Sequence, residues 1–163
     1  MRQTKNNRTP LCSAYDGGHL DIMRLLLERG AEVDVSYDAA GLLSHEASFR
    51  GRTDLVRLLS QHKAYVNARN IGNETPLHRV ARAVVPWLLP EHGAFVNAQS
   101  GSHKTPIYQA SELGHRDIVQ LLLEHGANVH IRGEKGQTPF QVATSNGHVE
   151  VAQLLLEHGA EKG

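Results

Sequence analysis

Residues 105–130 read TPIYQASELGHRDIVQLLLEHGANVH, and this stretch decides the fold. Residues 138–161 repeat it as TPFQVATSNGHVEVAQLLLEHGAE, 33 residues further along the chain. Upstream, the same frame falls on Thr9, Leu42 and Thr75, and only the last interval is shortened, to 30 residues. A fixed period of this size indicates stacked structural repeats that share a continuous core.

Each full copy carries the signals of two helices. Thr followed by Pro opens the first helix, because Thr caps a helix and Pro suits a first-turn position whose amide is unpaired anyway. A Gly-His turn leads to a second helix, whose apolar stripe is too wide for an isolated surface helix. A left-handed Gly closes that helix. In the first copy these signals predict helices over residues 10–16 and 19–29.

With Thr-Pro-Leu-His, Gly-His and LLLEHGA at fixed positions, residues 9–161 resemble the ankyrin-repeat family. The resemblance implies an all-α solenoid of stacked helix-turn-helix units joined by hairpin-like loops. We expect a frayed leader at residues 1–8 and a repeat domain at residues 9–163. Its five repeats are expected at residues 9–41, 42–74, 75–104 (shortened), 105–137 and 138–163.

The second repeat departs from the pattern at both ends. Leu42, Leu43 and Ser44 replace Thr-Pro-Leu, so the start of its first helix is expected to be less firmly defined. Lys63 stands where the other repeats have the closing Gly, and positive φ at a lysine costs about 1 kcal/mol.

The third repeat lacks three residues after Ala83, and Pro86 and Pro90 fall inside its second helix. Proline in a helix interior costs about 3 kcal/mol, so this helix is expected to be short, around residues 86–92. Trp87 is expected to fill the vacated space. These irregularities favour natural drift over a designed, uniform array.

The loop before the fifth repeat has Gly136 at its hairpin turn, where earlier loops have His103, Asn73 and Ala40. Because His and Ala tolerate positive φ poorly, the earlier turns are expected to deviate from the family geometry.

Composition excludes several classes of partner. The 17 Lys and Arg balance 17 Asp and Glu, so nothing favours nucleic acid or an anionic membrane as the partner. The single Cys12 excludes an internal disulfide, and no apolar signal segment opens the sequence. We therefore expect a cytoplasmic or nuclear protein.

Eleven histidines raise the question of a metal or catalytic site. Nine of them recur at three positions of the repeat, and each position occurs once in a repeat, whereas a metal needs ligands that converge on one point. The resemblance implies that His45 and His78 hydrogen-bond neighbouring backbone. Histidines near the ends of second helices complement the helix dipole. The structural interpretation is favoured over a metal site.

Two other features suggest chemistry only weakly. Cys12 could be a nucleophile beside a His, but no motif surrounds it, and a buried, inert thiol is favoured. Residues 133–138 read GEKGQT, which has the wrong spacing for a phosphate-binding loop. We therefore predict no enzyme, no cofactor and no metal.

The resemblance implies a partner surface in the concave groove formed by loop tips and first helices. The groove positions are expected to hold residues that the scaffold does not require. The predicted partner-binding residues are Phe49, Arg50, Arg69, Ile71, Glu74, Arg82, Lys104, Glu112, Leu113, Arg132, Lys135 and Gln137. Further groove positions are Tyr15, Asp16, Asp38, Ser102, Glu134, Ser145 and Asn146.

The sequence predicts a non-catalytic scaffold that binds a partner protein or peptide in this groove. The alternative is a regulatory or assembly segment of a larger protein. It rests on the absence of dedicated polar caps, since the first repeat keeps Met23 and Leu27 and the last keeps residues 154–156 as Leu. Such ends could also associate end to end.

The resemblance also implies a modification. Asparagines in the Val-Asn-Ala loop of some ankyrin proteins are hydroxylated, with a Leu eight residues upstream. Asn67 with Leu59, and Asn97 with Leu89, match that pattern. The alternative is a loop Asn that satisfies backbone groups.

Overall fold

The computed structural model describes residues 8–38, 41–83, 93–133 and 135–161. Within these ranges the chain forms helices and one short hairpin. In chain order they are α1 Pro10–Asp16, α2 Leu20–Glu28, β1 Ser36–Asp38, β2 Gly41–Leu42, α3 Leu43–Phe49, α4 Thr53–Gln61, α5 Pro76–Arg82, α6 Pro106–Leu113, α7 Arg116–Glu124, α8 Pro139–Ser145 and α9 Val149–Glu157. Most of the predicted leader, the expected short helix with Trp87, and Ala40, Leu89 and Glu134 lie outside the described residues.

The helices pack as the repeat predicts. Within single repeats, α1 contacts α2, α3 contacts α4, α6 contacts α7 and α8 contacts α9. The first helices also pack in series, from α3 to α5, α6 and α8. The predicted all-α solenoid of helix pairs is confirmed, with the β1–β2 hairpin as its one sheet in the described ranges.

Threonine and proline begin the regular first helices as expected. The Oγ1 atoms of Thr9, Thr105 and Thr138 each accept a hydrogen bond, at 3.3 Å, from the backbone N–H three residues later. The second repeat lacks this cap, yet α3 begins at Leu43, the same frame position as the prolines. The hairpin fixes it there, because Leu43 N–H donates to Val35 O at 2.9 Å. The expected loosening of this start is therefore not seen.

One core runs through the array, and the leucine ladder of the second helices forms much of it. Leu59, Leu122 and Leu155 are each at most 1% exposed. Fully burying such a side chain contributes about 1.5 to 3 kcal/mol.

The apolar residues at the ends of the array differ from the prediction. Met23 and Leu27 are buried in the core, so they do not form an uncapped outer face. Ile22 and Leu25 on α2 are the residues about half exposed, and Val149 on α9 is 68% exposed. Helix periodicity places these three on the opposite side of their helices from the core residues.

Three residues other than glycine have positive φ within the described ranges, and all three lie in turns. Lys63 has φ 62°, as predicted. Asn73 and His103 both have φ 58°, close to the 71° of Gly136. In each of these three turns the N–H donates to the carbonyl three residues earlier, at 2.8 to 3.0 Å. The predicted deviation is wrong for His103, because this closing bond holds all three turns in one geometry. Asn73 has the positive φ that asparagine tolerates.

No helix in the described part of the chain is both long and apolar enough to cross a membrane.

Candidate functional site

Two buried histidines connect successive hairpin loops. The Nδ1 atom of His78 accepts from Thr75 N–H at 3.1 Å, and its Nε2–H donates to Lys104 O at 3.0 Å. His45 repeats the arrangement one repeat earlier, with Nε2–H donating to Glu74 O at 3.1 Å. Burial lowers the pKa of both imidazoles and outweighs these carbonyl contacts, which raise it. The histidines therefore fix the spacing of the loops that carry the predicted groove residues.

The other functional candidates also have structural contacts. His115 Nδ1 lies 3.1 Å from Ala81 O, and His148 Nε2 lies 3.2 Å from Glu112 O, each in the preceding repeat. Cys12 is fully buried, with Sγ 3.7 Å from a backbone carbonyl. Among the described residues, no group of three or more His, Cys, Asp or Glu is placed to hold a metal ion.

A cleft of about 290 Å³ lies between the third and fourth repeats. It is formed by the loops and first helices of both. Its lining residues are Glu74, Arg82, Ser102, Lys104, Gln109, Glu112 and Leu113. Five of these seven are among the predicted partner-binding residues, so the structure brings the central part of the predicted set together.

Two ion pairs line this central cleft, and they differ in whether the acid or the base is on the loop. Arg82 Nη1 lies 3.4 Å from Glu74 Oε1. Lys104 Nζ lies 2.8 and 2.9 Å from the two oxygens of Glu112. In the first pair the acid, Glu74, is on the loop before α5 and the base is on α5, whereas in the second pair the base, Lys104, is on the loop before α6 and the acid is on α6. The central cleft therefore presents alternating charges with no net charge of its own.

Glu74 is the most firmly held of these groups. Burial alone would raise the pKa of its carboxyl. Hydrogen bonds from Asn70 and Gln109, with the charges of Arg82 and Arg79, outweigh burial and lower the pKa. Glu74 is therefore a fixed anion at neutral pH.

Gln109 belongs to the central cleft but was missed by sequence reasoning. Its side chain is 6% exposed, and Nε2 donates to Glu74 Oε1 at 3.3 Å. Its Oε1 is buried and accepts no hydrogen bond from any described residue. The signal was available, because the last repeat holds the apolar Val142 at this frame position.

Phe49 and Arg50 end the first helix of the second repeat. Phe49 is 42% exposed, and the Arg79 guanidinium lies 4.5 Å from its ring centroid. Arg50 forms an ion pair with Glu46 one turn earlier. The cation–π contact extends the groove from the central cleft to the second repeat.

Tyr15 is not a groove residue. It is 3% exposed, and burial, followed by the charge of Glu46, raises the pKa of its phenol to about 12. Its ring lies edge-on to that of Tyr37, with centroids 5.2 Å apart. Tyr37 O–H donates to Asp16 at 2.8 Å, so Asp16 has a local partner.

Two predicted loop residues also support the scaffold. Arg69 Nη1 donates to Asn73 O at 2.9 Å and to Gln99 O at 2.8 Å. Arg132 Nη1 donates to Gly136 O at 2.6 Å. The prediction that the scaffold does not require Arg69 and Arg132 is therefore wrong, since both hold hairpin turns closed.

The remaining predicted groove residues lie at loop tips and in the last repeat. Ile71 is 88% exposed and Lys135 is exposed. Gln137 lines a second, more open cleft of about 370 Å³ with Phe140, Gln141, Thr144 and Ser145. The groove therefore continues toward the last repeat.

The two Val-Asn-Ala asparagines connect adjacent loops. Asn67 accepts from Phe95 N–H at 2.7 Å and donates to Gly93 O at 3.0 Å. Asn97 accepts from Asn128 N–H at 2.7 Å and donates to Gly126 O at 3.2 Å. The side-chain oxygen and the side-chain NH2 of each asparagine are therefore both hydrogen-bonded to backbone groups of the next loop. Hydroxylation of Asn67 and Asn97 stays a prediction.

Repeated helix pairs, a shared leucine core and a row of polar clefts define a helical repeat protein. Family models match most of the chain. A model of three ankyrin repeats covers residues 77–163, a model of many copies covers residues 44–83, and a single-repeat model covers residues 6–38. The mouse (Mus musculus) B-cell lymphoma 3 protein homolog is similar, with 38% identity over 79 residues.

The chain belongs to the ankyrin-repeat family. Ankyrin repeats are in general protein–protein interaction modules. The match to the mouse relative covers 48% of this chain but only 17% of that protein.

Proposed function

We propose that this chain is a non-catalytic binding module that holds a partner protein or peptide in the groove of its loops and first helices. The observation that carries the proposal is the central cleft. It gathers two ion pairs, an exposed Leu113 and a buried Gln109 amide oxygen that accepts no hydrogen bond from the described residues.

The composition of this groove suits an interface. Interfaces draw most of their affinity from aromatic and Arg residues near their centre. Phe49 with its stacked Arg79, and Arg82, occupy the central repeats. The histidine contacts between loops pre-order the surface, which reduces the entropy lost on binding.

The test compares a groove variant with a matched control. The groove variant combines Phe49→Ala, Arg82→Ala and Leu113→Ala. Partners retained by the unmodified chain are identified, purified and titrated calorimetrically against both variants. We expect the groove variant to lose at least about tenfold in affinity, since each lost anchor costs about 1 kcal/mol or more.

The control variant removes the same kinds of side chain from the second helices and their ends. It combines Tyr65→Ala, Arg57→Ala and Leu25→Ala, all exposed in the structure. Undiminished binding by the groove variant, with loss by the control variant, would place the interface on the other face and refute the proposal.

A second proposal is an assembly role through the end of the array. Ile22 and Leu25 are each about half exposed on α2, and such a surface could pack on another part of a larger protein or on a second copy. Sedimentation velocity at increasing concentration tests self-association. If an Ile22→Asp, Leu25→Asp variant sediments as the unmodified chain does at every concentration, this surface does not mediate the association and the proposal loses its support.

A further inference from the structure

Charge is unevenly distributed along the groove. The first helices of the third to fifth repeats, with the loops that lead into them, carry six cationic residues. These are Arg69, Arg79, Arg82, Lys104, Arg132 and Lys135. Their described carboxylates are Glu74 and Glu112, and the sequence adds Glu134, which lies outside the described residues. The corresponding segments of the first two repeats carry Lys5, Arg8 and Arg50 against Asp16, Asp38 and Glu46, and of these Lys5 lies outside the described residues. A chain with no net charge thus has one cationic half of its groove.

The central cleft adds a second, independent requirement. Gln109 Oε1 is buried there without a hydrogen-bond donor among the described residues. Leaving such an acceptor unpaired costs free energy, so an occupant that offers an N–H gains from reaching it. The donor has to come from an occupant that fits a cleft of about 290 Å³.

Resting on the proposed function, we propose that the groove from the central cleft to the last repeat binds an extended, acidic polypeptide segment. Carboxylate side chains of the segment pair with Arg82 and Lys104 in the central cleft. A backbone N–H of the segment donates to Gln109 Oε1. Further carboxylates reach Lys135 and Arg132 at the next hairpin.

The cationic groups of the central cleft can each take a further partner. The Arg82–Glu74 contact is long, at 3.4 Å, and the Arg82 side chain is 47% exposed. The Lys104 side chain is 26% exposed, and its ammonium lies 5.5 Å from the Tyr108 ring centroid. A guanidinium has five N–H donors and an ammonium has three, so an incoming carboxylate can bind Arg82 and Lys104 while Glu74 and Glu112 stay in place.

A polypeptide fits this surface better than a nucleic acid. The phosphates of a nucleic acid chain offer only acceptors, whereas a peptide offers an N–H beside each carboxylate side chain. Glu74 and Glu112 also interrupt the cationic row. An extended peptide places side chains on one face at every second residue and can match such interruptions.

The experiment screens a library of displayed random peptides for binding to the unmodified 163-residue chain. The peptides are long enough to span three repeats. The proposal expects enrichment of Asp and Glu among the selected sequences. If no peptide is selected, the present inference is overturned, whereas the proposed function, which also allows a folded partner protein, is decided by the groove variant described above. If peptides are selected without acidic enrichment, the proposed function stands and the present inference is overturned.

Selected peptides are then titrated against two charge variants. Arg82→Gln with Lys104→Gln is expected to weaken binding by about tenfold or more. The control, Arg24→Gln with Arg57→Gln, makes the same change in net charge on second helices and is expected to bind as the unmodified chain does. Equal effects of the two variants would show only a general charge effect and would overturn the site.

A further variant keeps the scaffold pair intact. Lys104→Glu with Glu112→Lys reverses the ion pair without breaking it. This variant is expected to bind the acidic peptide more weakly, with the unfolding midpoint unchanged. Polyuridylic acid serves as the alternative anion. Displacement of the peptide by this polymer at lower concentration than by the peptide itself would overturn the polypeptide assignment.

The donor to Gln109 is tested by N-methylating the selected peptide one position at a time. One position is expected to lose about tenfold in affinity for the unmodified chain and to lose much less for a Gln109→Ala variant. Equal losses on both proteins at every position would refute the contact with Gln109.

Discussion

Acidification should destabilise this protein through the two buried histidines that connect its loops. Burial lowers the pKa of His78 and His45. In the unfolded chain both return to about 6.5. Between these values the unfolded state binds more protons, so the free energy of unfolding falls as pH falls below about 6.5. The loss continues until the pH reaches the folded pKa.

The size of the effect follows from the fully buried His78. Its Nδ1 accepts from a backbone N–H, so protonation breaks that bond and places a charge in the core. If a histidine stays neutral in the folded state, the free energy of unfolding falls by at most about 1.4 kcal/mol between about pH 7.5 and about pH 5.5. His45 adds no more than the same amount. Glu74 titrates below its ordinary value of 4.5 and does not contribute in this range.

Urea unfolding, followed by circular dichroism at both pH values, measures the loss. The matched variant is His45→Gln with His78→Gln, because a glutamine amide can donate and accept but does not titrate in this range. We expect the variant to be less stable at neutral pH and to depend less on pH. An unmodified chain whose stability is constant between the two pH values would refute the reasoning, as would a variant that keeps the whole pH dependence.

Three further predictions concern stability. Leu122→Ala should lower the free energy of unfolding by about 2 to 5 kcal/mol, whereas Ile71→Ala at an exposed tip should change it by less than about 0.5 kcal/mol, both measured by urea unfolding. Lys63→Gly should stabilise by about 1 kcal/mol, and Gly126→Lys should destabilise by a similar amount, because both positions have positive φ. Thermal unfolding that shifts in the same direction for both would contradict this. Asn97→Ala should cost about 1 kcal/mol and accelerate amide exchange at residue 128, whose N–H it binds.

The period of 33 residues was sufficient to predict the fold. It placed helix starts at Pro10, Pro106 and Pro139, and it predicted positive φ at Lys63 from a missing Gly. These features depend on local backbone chemistry and on apolar spacing, which one sequence displays directly. The central cleft was also anticipated in part, because frame positions identify which residues lie on loops and first helices.

Contacts between repeats could not be read from the sequence. Burial of Met23 and Tyr15 depends on which side of a helix the next repeat covers. The bond from Arg69 to Gln99 O spans two loops, and the sequence separates these residues by almost one period. A polar residue at position 109 is visible in the sequence, but its partner is not, because Glu74 lies 35 residues earlier in the chain.

The common geometry of the hairpins has an evolutionary consequence. Closure depends on backbone bonds and on side chains that bind carbonyls, so the residue at the tip is released from a structural duty. One frame position already holds Gly72, Ser102 and Lys135 in successive loops. Substitutions there can alter what the protein recognises while leaving its architecture constant. If the proposed groove is the binding surface, substitutions at these tips can change binding specificity without destabilising the fold.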